Sequence, residues 1–225
     1  METSATPTIA FFTAFKASDF LFLGEAAIRT LLISVIAISS GSLFGLIFGW
    51  ILAEFNRYMT SVLSLILDLF RSVPLIIQLI LFYNFFPIVG LPLSPFMAGT
   101  IVLIIYTAAL VAQVARSGIE ATPLPMRRAS RSLGMTYFQD IRYVVFPIGL
   151  RAVLPAWTGV ALGVLKDSAL VSVLGYVELL RASQILVTRT QEPFIIFAVV
   201  GGFYFMLSYP IARITDRLEK RWQYD

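Results

Sequence analysis

Apolar residues run in long blocks along this chain, separated by short polar or charged stretches. A bilayer core about 30 Å thick is crossed by about 20 apolar helical residues. The blocks at about 30–52, 63–88, 96–115, 152–174 and 194–214 each meet that length, predicting an all-α membrane protein with five transmembrane helices in a single domain, 1–225. An odd number of spans puts the two termini on opposite sides. The first block holds no charge, and Gly45 and Gly49 stand in the GxxxG register that suits close helix packing. Residues 1–19 carry Glu2 and Lys16 but no basic leader, apolar core and cleavage site in succession, so the first block is expected to be retained as a span.

Composition narrows the class. Hydrophobic residues make up 58% of 225, charged residues 13%, and mean hydropathy is +0.85, too little charge to cover a soluble domain. Cysteine and histidine are both absent, which excludes disulfides and thiol chemistry and removes the usual zinc and haem ligands. The net charge of +4 does not form a nucleic-acid face, because the basic residues flank the apolar spans. With the N-terminus outside, the cytoplasmic segments hold Arg57, Arg116, Arg127, Arg128, Arg131, Arg142, Arg151, Arg213, Arg217, Lys220 and Arg221. The outer segments hold Lys16, Arg29, Arg181 and Arg189. That asymmetry predicts N-out, C-in. The mixed-charge tail with Trp222 and Tyr224 reads as an interfacial anchor.

One long stretch does not suit lipid. Residues 117–147 are polar and basic, with Pro123 and Pro125, and are too long and too patterned for a simple connector. Pro125 fits the first turn of a short helix that Gly134 would end. A second short helix is expected at about 136–145, with Tyr137, Ile141, Val144 and Val145 on one face, lying against the inner ends of the spans.

The loop reads Arg128-Ala129-Ser130, then Gly134, then Val144-Val145-Phe146-Pro147. At this spacing it resembles the cytoplasmic E-A-A, G, I-x-L-P loop of ABC-importer permeases. Three further stretches resemble the polar amino-acid branch of that family, in order along the chain. They are Phe70-Arg71-Ser72-Val73-Pro74-Leu75 with Gln78, Gly118-Ile119-Glu120-Ala121-Thr122-Pro123, and Lys166-Asp167-Ser168-Ala169-Leu170 through Gly175. The resemblance covers about residues 25–220. It implies the type I importer permease fold in a bacterial inner (cytoplasmic) membrane. It also implies a second permease subunit, identical or paralogous, two cytoplasmic ATPase subunits that hold the ATP and magnesium, and a periplasmic or lipid-anchored solute-binding protein. The segment about 125–133 would be the coupling helix, with Arg127, Arg128, Ala129, Ser130, Arg131, Gly134 and Pro147 as coupling residues. Two positions depart from the pattern: Arg128 replaces the glutamate that opens the loop motif, and Gln113 stands near a usual glutamate of span three.

No Gly-Lys pair occurs, so the phosphate cradle G-x-x-x-x-G-K-[ST] is absent and nucleotide hydrolysis is expected on another chain. Ionisable residues inside spans are functional candidates. Lys166 and Asp167 lie about 21 Å into span four. Together with Ser168 they offer a cation, an anion and a hydroxyl to a polar amino acid or related zwitterion; alternatively Lys166 pairs with Asp68 or another acid to hold the bundle together. Asp68 and Arg71 stand at i, i+3 and can pair with each other, and Pro74 leaves the carbonyl near position 70 without its helical donor. Gln78, Gln113 and Asn84 complete the candidate solute contacts, with Arg71 beside them. Two rival readings are an ion-coupled secondary transporter using Asp68, Lys166 and Asp167, and a non-transporting membrane anchor. The first needs internal repeats that are not evident, and the second needs no deep charges.

Overall fold

The computed structural model describes residues 16–223, and all regular structure among them is helical. The stretch 1–15 and the anchoring side chains expected of Trp222 and Tyr224 lie outside what is described. The helices are α1 (Ala17–Glu54), α2 (Arg57–Ser72), α3 (Leu75–Ile88), α4 (Pro95–Glu120), α5 (Leu124–Ser132), α6 (Tyr137–Asp140), α7 (Phe146–Asp167), α8 (Leu179–Thr190) and α9 (Pro193–Gln223). A π turn, Ile141–Val145, joins α6 to α7, and a 3₁₀ segment, Ser168–Leu174, continues α7.

Four helical stretches are long and apolar enough to cross a membrane, and a fifth crossing exists if the bent pair α2–α3 counts as one span. The second apolar block is therefore two helices meeting at 105° rather than one straight span. Pro74 causes the break: it cannot donate to the carbonyl four residues back, and its ring pushes Val73 into extended backbone.

Two further boundaries differ from expectation. The second loop helix is not a separate element, because Tyr137–Leu174 runs as one helical stretch into the fourth span. Thr136 starts it with a capping box, its hydroxyl accepting from the Gln139 N–H while the Gln139 side chain accepts from the Thr136 N–H. Just before Pro147, which has no N–H to give, the ladder widens so that the Phe146 N–H donates to the Ile141 carbonyl. α1 begins at Ala17, well before the apolar block, and its 38 residues extend about 57 Å.

The centre of the bundle is the α1–α4 seam, made by small residues. A β-carbon at Gly41 would stand 2.5 Å from the Thr107 β-carbon, one at Gly45 2.6 Å from that of Val111, and one at Gly49 2.6 Å from that of Ala115. Those separations are too short for any side chain, so the seam admits glycine alone at three successive turns. Gly118 and Gly149 bring α4 against α7 in the same way. A core of Ile33, Ala37, Leu75, Leu79, Val102, Leu103, Val164, Val171 and Leu174 then joins α1, α3, α4, α7 and the 3₁₀ segment.

Candidate functional site: a broken span, a charged break and a clamped loop helix

The first locus is the α2–α3 joint. The side chain of Gln78 turns back toward the break, and its Nε2 donates to the carbonyls of Phe70 and Val73, both at 2.7 Å. The amide thus supplies the donor that Pro74 withholds from Phe70. Gln78 is 8% exposed and its Oε1 has no hydrogen-bond partner among the described residues. Of the other residues expected here, Arg71 pairs with Asp68 on its own helix, and Ser64 donates to the same carboxylate. Asn84 is exposed and its Nδ2 donates to the Ile80 carbonyl at 2.7 Å within its own turn. Asp68 is therefore engaged by Arg71, and the alternative pairing of Lys166 with Asp68 does not form.

The second locus is the end of α7. The α-helical ladder stops at Asp167, the chain tightens into seven 3₁₀ residues, and Gly175 closes them at φ +92°, a left-handed conformation that a side chain would strain. Lys166 is exposed and Asp167 half-buried, and neither has a hydrogen bond or an ion pair in the described chain. Tyr106 on α4 lies close enough to Asp167 to interact with it electrostatically. Gln113 is seven residues, two turns, further along the same face of α4, partly buried and without a hydrogen bond among the described residues. Ser168 differs from expectation: it is fully buried and its hydroxyl donates to the Leu165 carbonyl at 2.8 Å, so it serves the break rather than an opening. The joint and this break share one core, since Leu75 and Leu79, which flank Gln78, pack with Val171 and Leu174.

The third locus is α5, bounded as the sequence predicts, with Pro125 in its first turn and Gly134 at φ +86° just beyond its end. Its arginines divide. Arg127 turns inward, its Nη1 donating to Glu54 at the end of α1 (2.7 Å) and its Nε to Asp140 (3.1 Å). Asp140 is 1% exposed and also accepts from the Ser130 hydroxyl at 2.5 Å. The two carboxylates hold the Arg127 guanidinium more firmly protonated than usual. Beside this clamp, the Trp50 indole N–H donates to the Tyr137 hydroxyl at 2.8 Å. Arg127 and Ser130 thus fix α5 to the bundle. Arg128, Ala129 and Arg131 are exposed. Pro147 lies exposed in the first turn of α7.

Sequence reasoning missed a buried acid at the opposite end of α1. Glu178 is fully buried and caps α8, accepting from the N–H groups of Leu180 and Arg181, both at 2.8 Å. It also accepts from the Tyr204 hydroxyl of α9 (3.2 Å) and the Thr30 hydroxyl of α1 (3.5 Å). Burial pushes its carboxyl above the usual range against the pull of these four donors. Arg189, in the last turn of α8, pairs with the buried Asp19 of α1. An acid immediately before an amphipathic dozen residues is an N-cap signal that could have revealed α8.

Long apolar helices around a broken span, with a short basic helix clamped beyond their end, define a transport-type membrane subunit. A family model described as "binding-protein-dependent transport system inner membrane component" matches residues 41–224, and the chain belongs to that family. It is thus a non-catalytic permease subunit of an inner membrane, any ATPase residing on partner chains. A probable glutamine ABC transporter permease of Bacillus subtilis (strain 168) is 29% identical over 193 residues, 86% of this chain and 89% of the relative. The glutamine transport system permease of Escherichia coli (strain K12) is 28% identical over 200 residues, 88% and 91% of the two chains. Among solved structures, an amino acid ABC transporter crystallised with histidines matches at TM-score 0.81 and 31% identity, covering 90% of this chain and 94% of that one. The methionine transporter MetNI in an inward-facing conformation matches at TM-score 0.79 and 23% identity, covering 92% and 98%, a likeness of fold.

Proposed function

We propose that this subunit forms half of the translocation pathway of an ATP-driven importer for a polar amino acid or a related small zwitterion. The observation that carries this reading is the pair Lys166 and Asp167, opposite charges left unpartnered where α7 gives way to the 3₁₀ segment. Such a pair inside a span is costly unless something polar meets it, and a zwitterion brings both counter-charges at once. The glutamine and amino acid transporters among the similar proteins support the same solute class. Lys166 takes the solute carboxylate and Asp167 its ammonium, with Gln113 on the α4 face as a neutral hydrogen-bonding neighbour. Gln78 and Arg71 act around that site by shaping the joint, and Asn84, exposed on α3, is a further polar contact for solute.

A second permease subunit completes the pathway, a solute-binding protein delivers solute on the α8 side, and two ATPase subunits sit at the α5 side, with the N-terminus outside and the C-terminus in the cytoplasm. The excess of basic residues at the α5 side supports that orientation. Reconstitution with cognate ATPase and binding protein, and ATPase rates across a panel of solutes, test the reading. Stimulation by one amino-acid-like solute, lost in Asp167→Asn, is the expected result. Uptake without ATPase subunits or ATP would overturn it.

A further inference from the structure

The last turns of α9 carry their positive charge on one side. Arg213, Arg217, Lys220 and Arg221 follow at i, i+4, i+7 and i+8, within about 100° of one another around the helix. All four are exposed, and none forms an ion pair among the described residues. Asp216 and Glu219 lie to one side of the stripe, and Asp216 acts on Arg213 without pairing with it. Thr215, 5% exposed, points the opposite way, so the stripe faces out of the bundle. Met206 and Tyr209 precede Arg213 on the same side, 69% and 44% exposed. The Arg213 Nε donates to the Tyr209 hydroxyl at 2.8 Å, and its guanidinium lies over the Tyr209 ring, 5.3 Å from the centroid. An outward apolar strip thus passes into an outward cationic one without a break.

The depth of the stripe suits lipid headgroups. Arg213 is 20 residues beyond Pro193, about 30 Å at helical rise, which is the thickness of the hydrocarbon core. Arg217, Lys220 and Arg221 follow about 6, 10 and 12 Å further along the axis. Helical side chains tilt toward the N-terminus, so these long cations lean back toward the bilayer. Ile214 and Leu218 line one recess with Arg217, Lys220 and Arg221.

We propose that this stripe is a binding site for anionic phospholipids, the cations holding the phosphate while the acyl chains lie along Met206 and Tyr209. Guanidinium groups take phosphate oxygens in paired hydrogen bonds. A zwitterionic headgroup brings its own cation to the stripe, so four unpaired positive charges select a lipid of net negative charge. An acidic protein surface would match the charges, but a phospholipid matches both the charges and the apolar strip that runs into them. The inference concerns the bilayer around the subunit and does not depend on which solute is carried.

The chain has no cysteine, so Met206→Cys creates one labelling position, about 10 Å from Arg213 toward the bilayer interior. The intact transporter, with a cysteine-free ATPase partner and a fluorophore at that position, is reconstituted in phosphatidylcholine vesicles. Quenching by dibrominated phosphatidylglycerol is compared with quenching by dibrominated phosphatidylcholine. Phosphatidylglycerol should be favoured at the reporter by at least about fivefold, the value for one engaged cation, and the preference should shrink at high salt. Replacing three cations of the stripe (Arg217→Gln, Lys220→Gln and Arg221→Gln) should bring the two lipids close to parity. The same net change made elsewhere, at the exposed Arg57, Arg142 and Arg151 (each to Gln), should leave the preference in place. Equal quenching by both lipids in the wild type would overturn the inference. So would an equal loss in the two triple variants, which would make net charge the cause. Absence of quenching by either lipid would show that protein covers this face, and would overturn it too. None of these outcomes bears on the importer reading, which solute-stimulated ATPase tests separately.

Discussion

The α1–α4 seam and the α2–α3 joint lie side by side in the bundle and are built on opposite rules. In the seam, three glycines let two backbones touch, so the contact is continuous and leaves no room for an alternative arrangement. In the joint, a proline removes a backbone donor and one glutamine side chain replaces it. Close packing of backbones resists small displacements because every atom has a neighbour. A side-chain staple can open at the cost of two hydrogen bonds. The comparison indicates where the subunit keeps its shape and where it can change: α1 and α4 form the frame, and α2–α3 the adjustable part.

The comparison breaks most visibly at the seam. Gly45→Leu places a side chain into Val111 and the Ala108 carbonyl and is expected to cost about 3 kcal/mol or more, read as loss of monodisperse protein after purification. Gly159→Ala, at an exposed helical glycine with open space around it, should leave yield and melting temperature equal to or above wild type. If both variants behave alike, close packing is not what holds the frame.

The next effect is at the α5 clamp. Arg127→Ala leaves Asp140 buried with the Ser130 hydroxyl as its remaining hydrogen-bond donor among the described side chains and Arg131 as a more distant positive charge. The expected loss is about 2–3 kcal/mol, below the full cost of a broken buried pair because Arg127 keeps a fifth of its side chain in solvent. Thermal unfolding in detergent measures the loss. In proteoliposomes the same variant should retain basal ATPase while solute-stimulated uptake falls.

Gln78→Leu sharpens the picture of the joint. Two carbonyls lose a donor, costing about 1–2 kcal/mol, offset in part because the unpaired Oε1 disappears. Combined with Pro74→Ala, the loss should be less than the sum of the single effects, since both changes act on the Phe70 carbonyl. Strict additivity in a double-mutant cycle would show that the staple and the proline are unrelated.

The smallest effect is a pH dependence at the frame's far end. Between the ordinary carboxyl value near 4.5 and the raised one, folded Glu178 holds a proton that the unfolded chain has released. Stability attributable to this group therefore falls as pH rises through that window. Glu178→Gln, which has no proton to release, should show a flatter curve there than wild type. Parallel curves for the two proteins would count against the assignment.

Much of this arrangement was legible in the sequence, and the rest was hidden for physical reasons. The orphaned carbonyl near Phe70, the Asp68–Arg71 pair and the limits of α5 all follow from local rules of proline, glycine and helical spacing, whereas a single span drawn through Pro74 did not contain the 105° bend. Those rules operate over a few residues and need no partner. The direction of Arg127 depends on Glu54, 73 residues earlier, so composition alone counted it with the exposed arginines. The first turns of α1 hold Asp19, Glu25 and Arg29 and so fell outside the apolar block that begins near 30, yet Asp19 is satisfied by Arg189, 170 residues away. α8 escaped notice because it is short and mixed in polarity, and its burial comes from α1 and α9. The continuity of 137–174 was obscured by Pro147, whose missing donor the π turn absorbs.

The length of α1 has a mechanical consequence. Its contacts run from Thr30, which meets Glu178, to Glu54, which meets Arg127, with the glycine seam between them. Gly45, in the middle of that seam, lies about 14 Å from Glu54 and about 22 Å from Thr30 at helical rise. Because the two backbones already touch there, α1 has no room to rock against α4. A displacement imposed at Glu54 is therefore carried toward Thr30 by α1 and α4 moving together, as one stiff strut between the two ends of the subunit.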